Sequence, residues 1–144
     1  MRLYLAAPLF TRAERDFNHR LSCLIGAGLP AASVVLPQDL CVEAVHCGDF
    51  AGVFRMCLEA VRACDVVVAV LDGPDCDSGT CVELGYAWAL GKRIVGLRTD
   101  SRASEEHGLN IMVSRVCTVV LHFGRNDTVA EMARRVSLAV GGMG

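Results

Sequence analysis

Hydrophobic positions along this chain fall into two alternating rhythms. Short apolar runs recur at Leu3-Tyr-Leu-Ala-Ala7, Ser33-Val-Val-Leu36, Asp65-Val-Val-Val-Ala-Val-Leu71, Arg93-Ile-Val-Gly-Leu97 and Thr118-Val-Val-Leu121. Each has the length and β-branched content of a strand, and the unbroken third run reads as a strand buried on both faces. Pro8, which has no N–H for a ladder, closes the first run. Between the runs the apolar spacing changes to that of helices. Thr11-Arg-Ala-Glu14 has capping-box spacing, and Phe17, Leu21, Leu24 and Ile25 then share one face until Gly26 and Gly28. Residues 53–63 form a second helical segment, with Arg55, Glu59 and Arg62 spaced to pair on its wet face. A third helix follows the acidic loop 72–77, with cap candidates from Ser78 to Thr80 and a stop at Gly91-Lys92. A last one opens at Thr128-Val-Ala-Glu131 and ends at Gly141-Gly142. Residues 40–52 show no clear period and read as a loop over the crevice; residues 99–108 read as a charged surface excursion before Leu109-Asn-Ile-Met-Val113.

Strands alternating with helices predict βαβ units, hence an α/β fold. The expected architecture is a single-domain, doubly wound (flavodoxin- or Rossmann-like) sheet of about five parallel strands with helices on both faces. A chain of 144 residues is one domain of ordinary size, able to bury roughly two thirds of its unfolded surface. The formal charge of -2 and the scattered basic residues point away from nucleic acid polymers and anionic membranes as partners. Hydrophobic content is 53%, but no apolar run approaches the ~20 residues of a membrane span, so a cytoplasmic location is expected. The eight cysteines have no C-x-x-C spacing and read as reduced, small apolar filler, with Cys76 in the acidic loop as the exposed one.

Loops at the carboxyl ends of parallel strands face the ligand crevice, so Asp72, Asp75, Asp77 and Glu83 are expected where a small molecule binds. Two phosphate-binding signatures are missing: no G-x-G-x-x-G follows a strand, and Gly73-Pro-Asp-Cys-Asp-Ser-Gly79 lacks the P-loop lysine. The loop has no D-x-D-x-D-G pattern and the four histidines no common spacing, so neither a metal nor a cofactor is expected. Glu83 admits two readings. Thr80-Cys-Val-Glu83 has capping-box spacing, which would fold the carboxylate back onto its own helix. Alternatively, a carboxylate near a helix N-terminus is kept ionised and can displace a leaving group at an anomeric carbon.

Tyr4-Leu-Ala-Ala-Pro-Leu-Phe10, Leu36-Pro-Gln-Asp39, the run from Ala63 to Thr80, Glu83-Leu-Gly-Tyr-Ala87, Gly91-Lys92, Gly96-Leu-Arg-Thr-Asp100 and Asn110-Ile-Met112 together resemble the nucleoside 2-deoxyribosyltransferase family, in the family's order. The resemblance implies exchange of nucleobases on 2'-deoxynucleosides in nucleoside salvage, with a deoxynucleoside and a free nucleobase as substrates. It implies Glu83 as the nucleophile that holds the deoxyribosyl group, Asp77 as the carboxylate on the sugar hydroxyls and Tyr4 as the residue orienting Glu83. Substrate binding would involve Gln38, Asp39, Gly79, Asn110 and Met112. Asn110 would reach a neighbouring subunit's sugar in a homo-oligomer, a dimer or trimer of dimers. Two positions depart from the family. Cys57 stands where an aspartate helps protonate the departing base, leaving Asp39 or Asp75 as candidate acids, and the tail Val140-Gly-Gly-Met-Gly144 lacks a terminal aromatic. A related alternative is an N-glycoside hydrolase of nucleoside monophosphates. The Ser78-Gly-Thr-x-x-Glu83 pattern is also similar to that of phosphoribohydrolases, whose preceding glycine pair and basic phosphate ligands are missing here. A non-catalytic nucleotide-sensing module is the remaining alternative.

Overall fold

A computed structural model describes residues 1–102 and 109–142 of the chain. Strands β1 (Arg2–Ala6), β2 (Ser33–Val35), β3 (Val66–Val70), β4 (Arg93–Arg98) and β5 (Val119–His122) form one parallel sheet in the order β2-β1-β3-β4-β5. This is a doubly wound, flavodoxin-like sheet. Around it lie α1 (Arg12–Gly28), α2 (Pro37–Leu40), α3 (Val42–His46), α4 (Phe50–Ala63), α5 (Ser78–Ala89), α6 (Ile111–Val116) and α7 (Val129–Gly141).

The two faces of the sheet are separated by the pleat. Tyr4, Val67 and Ile94 stand in one row, and Leu5, Val68 and Val95 in the next. Because successive side chains point to opposite faces, the second row joins Leu3, Val70 and Leu97 under α1 and α7. The first row joins Ala6, Ala69 and Leu71 under α4, α5 and α6, against Ala60, Val61, Leu84, Ala87 and Val113. All five residues of β3 are buried, as its continuous apolar run requires. Helix α1 begins with the expected capping box: Thr11 accepts from the Glu14 amide and Glu14 accepts from the Thr11 amide.

Two expectations need correction. Residues 40–52 are not a loop but contain the end of α2, all of α3 and the first turn of α4. Elements of four and five residues are too short to display a period. Gly48, at φ 71°, turns the chain between α3 and α4, and Asp49 caps α4 by accepting from the Gly52 amide at 2.7 Å. The cap of α5 is Asp77 rather than Ser78 to Thr80. Of the surface excursion at 99–108, residues 103–108 lie outside the described residues, as do 143–144 of the glycine-rich tail. On α4, Arg55 stands 3.9 Å from Asp49. Among the described residues no helix is long and apolar enough to cross a membrane.

The strand order places the crevice. From β1 the chain moves outward to β2 and then returns across β1 to β3, so connections diverge above the carboxyl ends of β1 and β3. The loop leaving β3 is fastened to the end of β4. Asp72 accepts from the Thr99 amide (2.6 Å), the Thr99 hydroxyl (2.5 Å) and the Asp100 amide (2.9 Å). Asp100 in turn accepts from the Gly73 amide at 3.1 Å, and Arg98, only 2% exposed, donates to the carbonyls of Leu71 and Gly73. At Gly73, φ is 119° and a Cβ would stand 2.6 Å from the Asp75 carbonyl oxygen, so the loop needs glycine there. Removing the carboxylate leaves two amides and a hydroxyl without their acceptor. Asp72→Ala is therefore expected to lower unfolding free energy by about 1.5–3 kcal/mol in chemical denaturation, the range for hydrogen bonds to a charged group.

Candidate active site

The crevice is a cavity of about 560 Å³ above the carboxyl ends of β1, β2 and β3. Ala7, Leu9 and Phe10 line it after β1, Pro37 and Gln38 after β2, and Asp77, Gly79, Thr80 and Glu83 from the start of α5. Val53 and Cys57 on α4 and Cys41, Val42, Val45 and His46 around α3 complete the wall.

Glu83 is held from below by the sheet. Tyr4 points to the α5 side of β1, is wholly buried, and donates its hydroxyl to Glu83 Oε1 at 2.6 Å. A buried phenol needs such a partner. The capping-box geometry that the Thr80–Glu83 spacing suggested is not formed, because Asp77 already occupies the helix terminus. Its Oδ2 accepts from the Thr80 amide at 2.8 Å and from the Thr80 hydroxyl at 3.1 Å. Glu83 lies one turn further on, and Asp77 Oδ1 accepts no hydrogen bond among the described residues.

Burial pushes the Glu83 carboxyl up to about 7, with the neighbouring Asp77 charge acting in the same direction and the Tyr4 hydrogen bond opposing both. The group is thus poised between acid and carboxylate at neutrality. Its folded form binds the proton more tightly than the unfolded chain does, so its effect on stability is unfavourable and develops as pH rises from the ordinary carboxylate range to about 7. Burial, together with the Glu83 and Cys57 groups beside it, raises the Tyr4 phenol far above its usual range, so Tyr4 is a donor throughout the physiological range. The Cys57 thiol is pushed up to about 12, chiefly by burial. It stands 3.8 Å from Cys41 Sγ and also contacts Tyr4.

Of the acidic loop, only Asp77 reaches this cavity alongside Glu83; the expectation of four carboxylates in the crevice is corrected. Asp72 is turned to Thr99 and Asp100 and lines a neighbouring cavity, and Asp75 is exposed. Gln38 is fixed in place, donating from Nε2 to the Arg15 carbonyl at 3.1 Å and accepting from Asn18 at 3.4 Å. Asp39, its neighbour on α2, is exposed and outside the lining. Asn110 and Met112 are exposed on another part of the surface, where Asn110 caps α6 by accepting from the Met112 amide at 2.9 Å. The exposed thiols are Cys23 and Cys47; Cys76 is half-buried, packed beside Cys81, whose thiol donates to the Cys76 carbonyl. Sequence reasoning passed over Arg15, His46 and the apolar wall of α3. Helices this short carry no readable period, and positions 38, 41, 42, 45 and 46 share one face only because α2 and α3 meet at Cys41. Among the described residues, no three His, Cys, Asp or Glu side chains stand close enough to hold a metal ion.

A comparison with curated protein sequences gives no match. Among solved structures, a 2-deoxyribosyltransferase from Bacillus psychrosaccharolyticus superposes with a TM-score of 0.73 at 20% identity, covering 92% of this chain and 90% of that one. A conserved protein from Enterococcus faecalis V583 gives 0.72 at 23%, covering 96% and 98%, and a CMP N-glycosidase from Clostridium botulinum gives 0.61 at 19%, covering 96% and 100%. At these identities the likeness establishes the fold. The sequence model described as nucleoside 2-deoxyribosyltransferase, however, matches residues 3–113, most of the chain and every site element built above. The chain belongs to the nucleoside 2-deoxyribosyltransferase family.

Proposed function

We propose that the protein transfers the 2-deoxyribosyl group between nucleobases of 2'-deoxynucleosides by double displacement through a covalent Glu83 intermediate. The observation that carries this reading is the Glu83 carboxylate, tied at 2.6 Å to a buried tyrosine and facing a cavity of nucleoside size beside a second carboxylate. Ionised Glu83 attacks C1' from below the sugar as one base departs. The resulting ester is then displaced by a second base, with net retention at C1'. Tyr4 holds the attacking oxygen in line and stabilises its charge before the bond forms. Asp77, anchored by Thr80 through one oxygen, accepts from a sugar hydroxyl through the other.

The same carboxylate argues for a nucleoside over a nucleotide. A 5'-phosphate of charge about -2 beside Asp77 would be opposed by on the order of a few kcal/mol at an effective dielectric of about 20. The fold shared with a CMP N-glycosidase keeps hydrolysis as the second reading, since water reaching the ester would release free sugar. Asn110, exposed at the start of α6 beside exposed Ile111 (51%) and Met112 (72%), is assigned to an oligomer contact that completes a neighbouring subunit's sugar site. Trp88 and Val82 on α5 are exposed apolar side chains as well.

Incubating a 2'-deoxynucleoside with a different free base is expected to yield the new deoxynucleoside by chromatography. Glu83→Ala should depress that yield on the order of 10³-fold or more; intact exchange in the variant would exclude the covalent role. The acid limb of the transfer pH profile should lie near 7, where Glu83 ionises. Since the Tyr4 hydrogen bond favours the ionised form, Tyr4→Phe should move this limb upward by about one to two pH units, the equivalent of a charge-assisted bond of about 1.5–3 kcal/mol. Asp77→Ser should weaken transfer from deoxynucleosides and raise tolerance of monophosphates; an unchanged preference in kcat/KM would remove Asp77 from sugar recognition.

A further inference from the structure

One wall of the cavity is built by neither the sheet nor α5. Gln38, Cys41, Val42, Val45 and His46 form one face across α2 and α3, apolar in the middle and polar at both ends. Such a face suits a flat heteroaromatic ring with polar edges. Gln38 at one end is committed to Arg15 and Asn18. His46 at the other end lies in the last turn of α3, and its imidazole makes no hydrogen bond or ion pair among the described residues.

Breaking an N-glycosidic bond is assisted by a proton delivered to the departing base. The titratable groups lining the cavity are Arg15, Cys41, His46, Cys57, Asp77 and Glu83. Glu83 is the nucleophile, and Asp77 is held as an acceptor by the Thr80 amide and hydroxyl. Arg15 does not release a proton, and its guanidinium is bound to the Leu9 and Phe10 carbonyls. Cys41 is buried against Cys57, and the Cys57 thiol is pushed up to about 12. The two ring nitrogens of His46 can donate and accept in turn, and neither is engaged among the described residues.

We propose that His46 is the general acid that protonates the departing nucleobase, and the general base that deprotonates the incoming one. The inference rests on the transfer reading above. As a Glu83 oxygen bonds to C1', the C1'–N bond breaks and its electron pair passes to the base. The base takes the imidazolium proton at a ring nitrogen or carbonyl oxygen. Neutral His46 then accepts the N–H proton of the second base as that base's nitrogen displaces the Glu83 carboxylate.

The test compares two leaving groups in base-release assays on the full chain. 2'-Deoxyadenosine needs a proton to release adenine, whereas 7-methyl-2'-deoxyguanosine already carries a cationic base and releases it without one. His46→Gln, at an exposed position, should slow adenine release on the order of 10²-fold or more and leave 7-methylguanine release within about twofold of the parent. Equal losses on both substrates, or none on either, would overturn the assignment. A parent chain that frees neither base would instead sink the transfer reading, and this assignment with it.

Discussion

The hydrogen bond from Tyr4 to Glu83 joins the sheet to the helix that carries the site, and the rest of the crevice is arranged around it. Tyr4 can reach α5 only because the pleat turns it to the same face as Val67 and Ile94, away from Leu3 and Leu5. Its ring fills core volume while its hydroxyl, wholly buried, requires an acceptor. Glu83 is the acceptor the fold supplies. A phenol fixed in a central strand of a parallel sheet has little freedom, so the carboxylate inherits the rigidity of the core rather than that of a surface helix.

That arrangement sets two demands against each other. Burial shields Glu83 from water, yet burial also favours its protonated form. The Tyr4 bond offsets part of this effect and Asp77 adds to it, leaving the carboxyl near 7. Asp77 stands beside it as the cap of α5, accepting from the Thr80 amide and hydroxyl through one oxygen. The loop that delivers Asp77 is in turn secured at Asp72, Gly73 and Arg98. Acidic residues that look alike in sequence therefore do different work: Asp72 fastens, Asp77 caps and leaves one oxygen open, and Glu83 waits in the cavity.

How much of this could be read from the sequence depends on the length of the element concerned. All five strands and the four long helices announce themselves, because β3 is an unbroken β-branched run and α1, α4, α5 and α7 span enough turns to show a period. The Thr11 to Glu14 capping box was legible and is formed. Helices α2 and α3, four and five residues long, were not legible, although their joined face is the cavity wall. The Thr80 to Glu83 spacing was ambiguous for a related reason. Capping-box spacing has meaning only relative to the cap, and with Asp77 as cap the partner position is Thr80 itself, which frees Glu83. Family likeness pointed to Tyr4, Asp77 and Glu83 as residues. Their hydrogen bonds, and the opposite fates of Asp39 and Gln38 on one turn of α2, required coordinates.

The thiol at position 57 belongs to the same network of contacts. Cys57 contacts the tyrosine that holds Glu83, so a carboxylate there would be a third acid sharing one partly desolvated cavity with Glu83 and Asp77. Like charges at that range each disfavour ionisation of the others, and Glu83, already near 7, would be driven further toward its protonated form. A neutral thiol avoids the repulsion and packs against Cys41 and Tyr4. With its thiol pushed up to about 12, Cys57 holds its proton at neutrality, which is why the acid proposed above stands on another wall of the cavity.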